Sequence, residues 1–174
     1  MPVFAYAAHA PKQALQPYQF EFNDLNPDEV EIEVMYCGLC HSDLSMLDND
    51  WQQTQYPFVP GHEVIGRISK LGSTVKHLVP NQVVGLGWQS GHCQTCHPCL
   101  SAKPNLCKQS ESTIVGRHGG FASHVRAQAS WVIPIPENMD LQSVGPLLCG
   151  GLTVFTPLLQ HGIQAIHHVG VIGI

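Results

Sequence analysis

The sequence of 174 residues predicts a mainly β domain with short helices. Its 16 glycines and 13 prolines are spread along the chain and separate short apolar runs, which is typical of all-β proteins. Several of these runs alternate apolar and polar residues, the pattern of a strand with one buried face. Hydrophobic residues make up 44% of the chain and charged residues only 12%, so the composition excludes a disordered protein.

Five of the apolar runs are predicted strands. They are residues 30–36, 63–68, 82–86, 121–127 and 131–135. The first, VEIEVMY, alternates with a period of two and therefore predicts a half-buried strand.

Two helices are predicted between and after these strands. The first covers residues 42–47, with Ser42 as its N-cap and Asp43 in its first turn. The second covers residues 152–160, where Pro157 is expected to bend it.

The last part of the chain changes in character. His161 and Gly162 form a plausible helix stop, and the apolar residues 169–174 predict a further strand. We therefore expect one β domain over residues 1–162 and the first element of a second unit over residues 163–174.

Charge and hydropathy exclude several classes of protein. The formal net charge of −5 and the absence of a Lys/Arg run argue against nucleic-acid binding. The longest apolar stretches fall short of the ~20 residues that cross a membrane, and the N-terminus lacks the basic region of a signal peptide. We therefore expect a cytoplasmic protein, in which seven reduced cysteines indicate metal binding or catalysis.

Four cysteines share one short lobe, expected at about residues 90–112. Cys93, Cys96, Cys99 and Cys107 match the closed tetrahedral site of a structural zinc ion. The residues between them are mostly polar, so metal binding would supply the free energy that folds the lobe. Two disulfides, an iron–sulfur cluster and four reduced thiols remain as alternatives.

A second set of metal-ligating residues is dispersed along the chain: Cys40, His62 and Cys149. One histidine and two cysteines are a ligand set that leaves a fourth position on zinc open. Taken singly, a cysteine is more often a small buried apolar residue, and a histidine beside a glycine is more often a turn residue. Spacing alone therefore does not decide whether these three residues bind a metal.

Taken together, these motifs resemble the zinc-dependent medium-chain alcohol dehydrogenases, in particular the cinnamyl-alcohol-dehydrogenase branch and its bacterial NADPH-dependent aldehyde reductases. The resemblance covers essentially all 174 residues. It implies a GroES-like β-barrel catalytic domain with two zinc ions per chain, a structural one in the lobe and a catalytic one on Cys40, His62 and Cys149. The motifs are Cys40-His41-Ser42-Asp43, Gly61-His62-Glu63, the four-cysteine lobe and Cys149-Gly150-Gly151-Leu152-Thr153.

The resemblance also implies roles for residues around the catalytic zinc. Ser42 would relay the substrate proton, although it could serve only as a helix N-cap. The family often continues this relay to a histidine three residues later, where this sequence has Ser45. Asp43 would accept a hydrogen bond from His62, and Glu63 would approach the metal. The alternative for both acids is a solvated surface position.

Three residues match cofactor-binding positions of the family: His41, Thr153 and Gly173, the last as the first glycine of a Rossmann G-x-G-x-x-G turn. Trp51 and Trp88 resemble walls of the substrate pocket, and the alternative is that they are ordinary core tryptophans.

The implied reaction is hydride transfer between NADP(H) and a primary alcohol or aldehyde by a complete enzyme, expected to be a homodimer. Such enzymes are about twice as long, so the sequence predicts a catalytic domain that ends at the first strand of a Rossmann domain and binds NADP(H) poorly alone. The alternatives are an inactive zinc-binding fragment and a redox-sensing zinc module. Zinc-free quinone reductases are disfavoured because the zinc ligands are present.

Overall fold

A computed structural model describes residues 2–172 and has nine strands and three α-helices over that range. The elements are β1 (Val3–Ala7), β2 (Gln16–Phe20), β3 (Glu29–Cys37), α1 (His41–Asp48), β4 (Val64–Leu71), β5 (Val83–Leu86), β6 (Gln89–Gly91), α2 (His97–Leu100), β7 (Glu111–Ser112), β8 (His124–Gln128), β9 (Val132–Pro134) and α3 (Gly150–Gln160).

The centre of the fold is a five-stranded antiparallel sheet in the order β8-β3-β4-β5-β9. The pairing of β3 with β4 shifts register at two places, between Glu31 and Ile32 and between Val34 and Tyr36. Such irregularities bend a strand and increase its twist, which lets the sheet curl around its apolar face. Two small sheets, β1-β2 and β6-β7, complete the domain.

The main core lies on one face of this sheet. Val30, Ile32, Val64, Val84 and Leu86 belong to it and are each 0% exposed. Val30 and Ile32, two residues apart in the alternating run 30–36, therefore both point into this core, as the period of a strand requires.

Glu31, although charged, is also buried in β3. Its carboxylate accepts hydrogen bonds from Arg126 Nε (2.9 Å) and Nη2 (2.6 Å) and pairs with Lys70 Nζ at 2.8 Å. Burial alone would raise the pKa of Glu31, but the hydrogen bonds from Lys70 and Arg126 lower it below its ordinary value. The ion pairs thus keep this buried carboxylate ionised.

Four of the predicted strands coincide with β3, β4, β5 and β9. The fifth was predicted at 121–127, but β8 begins only at His124. The chain before it follows another path, since the backbone N–H groups of Gly120 and Phe121 donate to Gly61 and Pro60. The hairpin β1-β2 was not predicted. Its buried residues alternate, but the run is short.

Helix α1 corrects one expectation. Ser42 is not its N-cap; Cys40 is, and the helix begins at His41. Asp43 lies in the first turn as predicted, and its side chain accepts a hydrogen bond from the Cys40 backbone N–H at 3.0 Å. This contact explains why the N-cap lies two residues earlier than predicted, because it fixes Cys40 rather than Ser42 at the helix start.

Helix α3 contains Pro157 and ends at Gln160, with His161 as its C-cap and Gly162 at a φ of +60°. The strand predicted for residues 169–174 is wrong for residues 169–172, which form no regular structure. A strand needs a neighbour to pair with, and Val169 and Val171 are 56% and 67% exposed. Gly173 lies outside the described residues. Between residues 2 and 172, no helix is both long and apolar enough to span a membrane.

Candidate active site and metal centres

Cys40, His62 and Cys149 meet at one point of the structure, although 109 residues separate the two cysteines. Their sulfur atoms lie 3.9 Å apart, and His62 Nε2 lies 3.3 Å from Cys149 Sγ. A carboxylate oxygen of Glu63 joins them, and all four ligand atoms lie within 4.8 Å of one another. Spacing in the sequence did not decide whether these residues form one group, but the geometry brings them together.

The pairing of strands brings the first two ligands side by side. Where β3 ends, the backbone N–H of Gly38 donates to the carbonyl of Glu63 at 2.9 Å, so the segments that carry Cys40 and His62 run next to each other. Cys149 follows Leu148, which packs against Ile65 of β4 in a small apolar cluster. Burial of Leu148 thus carries the third ligand to the other two.

These distances fit a tetrahedral zinc ion. Zn–S bonds of about 2.3 Å place two sulfur ligands about 3.8 Å apart, and a shorter Zn–N bond of about 2.1 Å brings sulfur and nitrogen to about 3.6 Å. The observed separations are 3.9 and 3.3 Å. In addition, Glu63 Oε2 is buried and has no hydrogen-bond partner among the described residues. An unpartnered buried acceptor beside two thiols and an imidazole suits a cation.

Asp43 contacts two of the candidate ligand residues, Cys40 and His62. It is only 2% exposed, so it is not a surface acid. Its Oδ1 accepts a hydrogen bond from the Gly61 N–H at 2.8 Å and lies 3.1 Å from His62 Nδ1. Its Oδ2 accepts from the Cys40 N–H at 3.0 Å. A proton held on Nδ1 by this carboxylate leaves the Nε2 lone pair of His62 free for a metal.

Burial and neighbouring charges shift the pKa values of His62, Cys149 and Glu63. Burial alone would lower the pKa of His62, but the hydrogen bond and negative charge of Asp43 raise it. Burial raises the pKa of the Cys149 thiol to about 12, and the neighbouring Cys40 sulfur adds to this. Burial also raises the pKa of Glu63, which is 3% exposed and is therefore no more a surface acid than Asp43.

Gly61 is required where it stands. Its φ is +102°, and a Cβ atom there would lie 2.7 Å from the Phe121 ring and 2.8 Å from Cys37 Sγ. Only glycine takes this conformation without strain and fits this space. The turn it allows leads directly into His62.

The four-cysteine lobe forms a second group. Neighbouring sulfur atoms of Cys93, Cys96, Cys99 and Cys107 lie 3.4–3.9 Å apart. Disulfide bonds have S–S distances of about 2.0 Å, so the alternative of two disulfides is excluded. Sulfurs this close fit around a single ion and leave no room for a cluster of several irons. Donation from the backbone N–H groups of Thr95 and Cys96 lowers the pKa of Cys93 to about 5, whereas burial and the neighbouring sulfurs raise the pKa of Cys99 to about 12.

A cavity of about 680 Å³ adjoins the first group. Ser42, Trp51, Trp88 and Thr153 line it together with Cys149. The Trp88 ring meets the His62 ring edge to face at 5.0 Å and the Trp51 ring at 6.0 Å. Trp51 is 46% exposed, which excludes the alternative of a core residue for that position. His41 is apart from these residues and lines a separate cavity of about 360 Å³ beside Cys40.

Residues 26–137 match the family described as the alcohol dehydrogenase GroES-like domain. The match covers well over half of the chain. The chain belongs to this family. The expected family and the GroES-like fold are thereby confirmed.

Three relatives of this GroES-like domain illustrate the similarity. Aldehyde reductase AdhA from Synechocystis sp. is 51% identical over 170 residues, which are 98% of this chain and 51% of that protein. The solved cinnamyl alcohol dehydrogenase SbCAD4 from Sorghum bicolor superimposes with a TM-score of 0.88 at 31% identity, over 94% of this chain and 49% of that one. The cinnamyl alcohol dehydrogenase (CAD) of Helicobacter pylori complexed with NADP(H) gives 0.89 at 28% identity, over 94% and 50%. The chain therefore spans about half the length of the relatives it matches.

Several residues that line the cavity were not predicted from the sequence of this alcohol dehydrogenase domain, among them Gln89, Asn105 and Trp131. Trp131 donates a hydrogen bond from Nε1 to His92 Nδ1 at 2.9 Å, which fixes its ring. No sequence motif marks these positions. Only the folding of β6, β9 and the lobe around one space brings them to the cavity.

Proposed function

We propose that this chain is the catalytic-domain portion of a zinc-dependent alcohol dehydrogenase or aldehyde reductase. The complete enzyme would transfer hydride between NADP(H) and a primary alcohol or aldehyde. The observation that supports this most is the meeting of Cys40, His62 and Cys149 beside a cavity of about 680 Å³. An aldehyde reductase that is 51% identical over the chain supports the same reaction.

Two zinc ions per chain form part of the proposal. The four lobe cysteines would hold a structural ion, and Cys40, His62 and Cys149 would hold the catalytic one. When bound there, zinc supplies a Lewis acid that polarises the substrate oxygen. Glu63, whose Oε2 lacks a partner, is proposed to approach this ion when another ligand leaves.

The chain's own residues would orient the substrate and handle its proton. Ser42 lines the cavity beside Cys149, and its hydroxyl can accept the proton of a substrate hydroxyl while it releases its own proton to solvent. Trp51 and Trp88 would cover the reacting carbon and exclude water from it. Asp43 would hold His62 in one tautomer throughout.

Cofactor binding is proposed to require a nucleotide-binding domain that begins within residues 163–174, after a catalytic domain of residues 1–162. His41, Thr153 and Gly173 would face the cofactor. The NADP(H) complex of the Helicobacter pylori relative supports this choice of cofactor. Thr153 already lines the cavity, which supports its proposed position against the nicotinamide.

We also propose that the complete protein is a cytoplasmic homodimer that acts on small molecules and binds neither nucleic acid nor membranes. Seven free thiols support a reducing compartment, and the net charge of −5 disfavours nucleic acid.

Cobalt substitution tests the proposed reaction centre. Visible spectra should show one all-thiolate ion and one ion with mixed sulfur and nitrogen ligands, and benzyl alcohol should perturb only the second. A sample with the all-thiolate signal alone would contradict the proposed function. The second candidate is an inactive zinc-binding fragment. Titration with NADPH distinguishes it, because the fragment would bind both ions but no cofactor.

A further inference from the structure

Trp131 forms part of the wall of the cavity beside Cys149, and a histidine holds its ring in place. The indole Nε1 of Trp131 donates a hydrogen bond to His92 Nδ1 at 2.9 Å. The two rings also meet edge to face, with their centroids 5.5 Å apart and their planes at 88°. The hydrogen bond and the ring contact together restrict the side-chain angles of the tryptophan. His92 therefore fixes the position of this part of the wall.

The backbone of His92 is held to the central sheet by a single side chain. Gln128, the last residue of β8, accepts the His92 N–H with its Oε1 at 2.9 Å and donates from Nε2 to the His92 carbonyl at 3.1 Å. Strand β8 in turn pairs with β3. These two bonds hold the peptide groups on both sides of His92. The His92 ring therefore points at Trp131 for as long as the chain on either side keeps its conformation.

The four-cysteine lobe begins at the residue after His92. Cys93 is one of the four cysteines whose sulfur atoms lie 3.4–3.9 Å apart, and its Sγ accepts the Cys96 N–H at 3.3 Å. No residue of α2 or of the 3-10 turn Pro104–Leu106 is buried, so apolar burial contributes little to the order of the lobe. A metal on the four thiolates would supply that order, and it would fix Cys93 one peptide bond away from His92.

The lobe reaches the same cavity at a second point. Asn105 lies in the turn Pro104–Leu106, two residues before Cys107, and it lines the cavity together with Trp131. The start of the lobe, through His92, and its far end, through Asn105, thus both adjoin one cavity. A continuous chain of contacts of this kind can transmit the order of one part of a protein to another.

We propose that His92 is a positioning residue that couples the four-cysteine lobe to the cavity beside Cys149. The metal-bound lobe holds the His92 ring, and this ring holds Trp131 in the orientation that a ligand of the cavity meets. The inference rests on the proposed function for the metal of the lobe and for the use of the cavity. Its consequence is that a ligand binds more tightly when the lobe is ordered, because the Trp131 ring need not be ordered by the ligand itself.

Nuclear magnetic resonance of the isotope-labelled, zinc-loaded chain tests the first half of this link, because each tryptophan gives one indole N–H signal. The signal that is lost in Trp131→Phe belongs to Trp131. His92→Leu and His92→Asn are a matched pair of similar shape, and only asparagine offers an acceptor near the place of Nδ1. In His92→Leu, the Trp131 N–H should exchange with water roughly fivefold faster, the effect of about one net hydrogen bond. His92→Asn should restore the slow exchange.

Benzyl alcohol is the probe of the cavity, and its affinity is read from the indole signals, since all three tryptophans line this cavity. His92→Leu should bind it about two- to tenfold less tightly than the wild type, because binding must then order the freed ring. His92→Asn should bind it as the wild type does.

Cys93→Ser tests the second half of the link, since it disturbs the lobe and leaves His92 in place. It should show the same faster exchange at Trp131 and the same weaker binding of benzyl alcohol as His92→Leu, while the mixed-ligand cobalt signal remains. Lys103→Ser is the matched control, because Lys103 is an exposed residue of the same lobe, and it should behave as the wild type does.

The inference is overturned, with the proposed function intact, if the exchange at Trp131 in His92→Leu or in Cys93→Ser equals that of the wild type. It is also overturned if His92→Asn behaves as His92→Leu does. The His92 pair decides the question even if Cys93→Ser does not fold. Benzyl alcohol that shifts no indole signal of the wild type would contradict the proposed function instead, and the exchange rates would still show whether His92 holds Trp131.

Discussion

Replacing Asp43 by asparagine should weaken the site of Cys40, His62 and Cys149 without touching the lobe. The carboxylate uses Oδ1 for the Gly61 N–H and the His62 ring and Oδ2 for the Cys40 N–H. Asparagine has only one acceptor oxygen, so its NH₂ group must face one of these donors.

The expected magnitude follows from the loss of one hydrogen bond to a buried charge. This loss lowers the free energy of unfolding by about 1.5–3 kcal/mol. Because the same carboxylate contacts His62, the proposed metal ligand, the affinity of this site for zinc should fall about 10–100-fold.

Competition with a chromophoric chelator measures both metal affinities in one titration, and denaturant unfolding measures stability. The four-cysteine lobe is an internal reference, whose affinity should not change. Asp50→Asn is the matched control, because Asp50 is exposed and contacts none of the ligands. The reasoning is refuted if Asp43→Asn binds two zinc ions with the affinities of the wild type.

Three further predictions use metal analysis and unfolding. Cys93→Ser and Cys149→Ser should each lower the zinc content from two ions to one; the first should lose the all-thiolate cobalt signal and the second the mixed-ligand signal. Glu31→Gln should lower the free energy of unfolding at pH 7 by about 1.5–3 kcal/mol. The folded pKa of Glu31 lies below the ordinary value of 4.5, so its stabilisation is present above that pH and is lost as the pH falls further; the two proteins should converge in acid. Gly61→Ala should cost about 1–3 kcal/mol and weaken the mixed-ligand site, whereas Gly170→Ala, with no atom near its added Cβ, should change neither.

The sequence predicted the positions of the strands better than it predicted the positions of single residues such as Ser42. A strand such as β3 is encoded by local alternation, whereas the position of Ser42 depended on which side chain capped α1. The strand predicted over residues 169–172 does not form, because a strand forms only beside another strand. An apolar run in the sequence does not show whether such a neighbouring strand is present. The cavity residue Trp131 carries no motif and is recognised only once β9 has folded beside β5.

The sequence by itself determined the four-cysteine lobe, because its ligands lie within 15 consecutive residues and a short loop can bring them around one ion without help from the rest of the fold. Local spacing left open whether Cys40, His62 and Cys149 form one group; the family resemblance implied it, and only the tertiary structure brings the three side chains together. Their separation along the chain is closed by the pairing of β3 with β4 and by the burial of Leu148, and both are long-range contacts that no local pattern specifies.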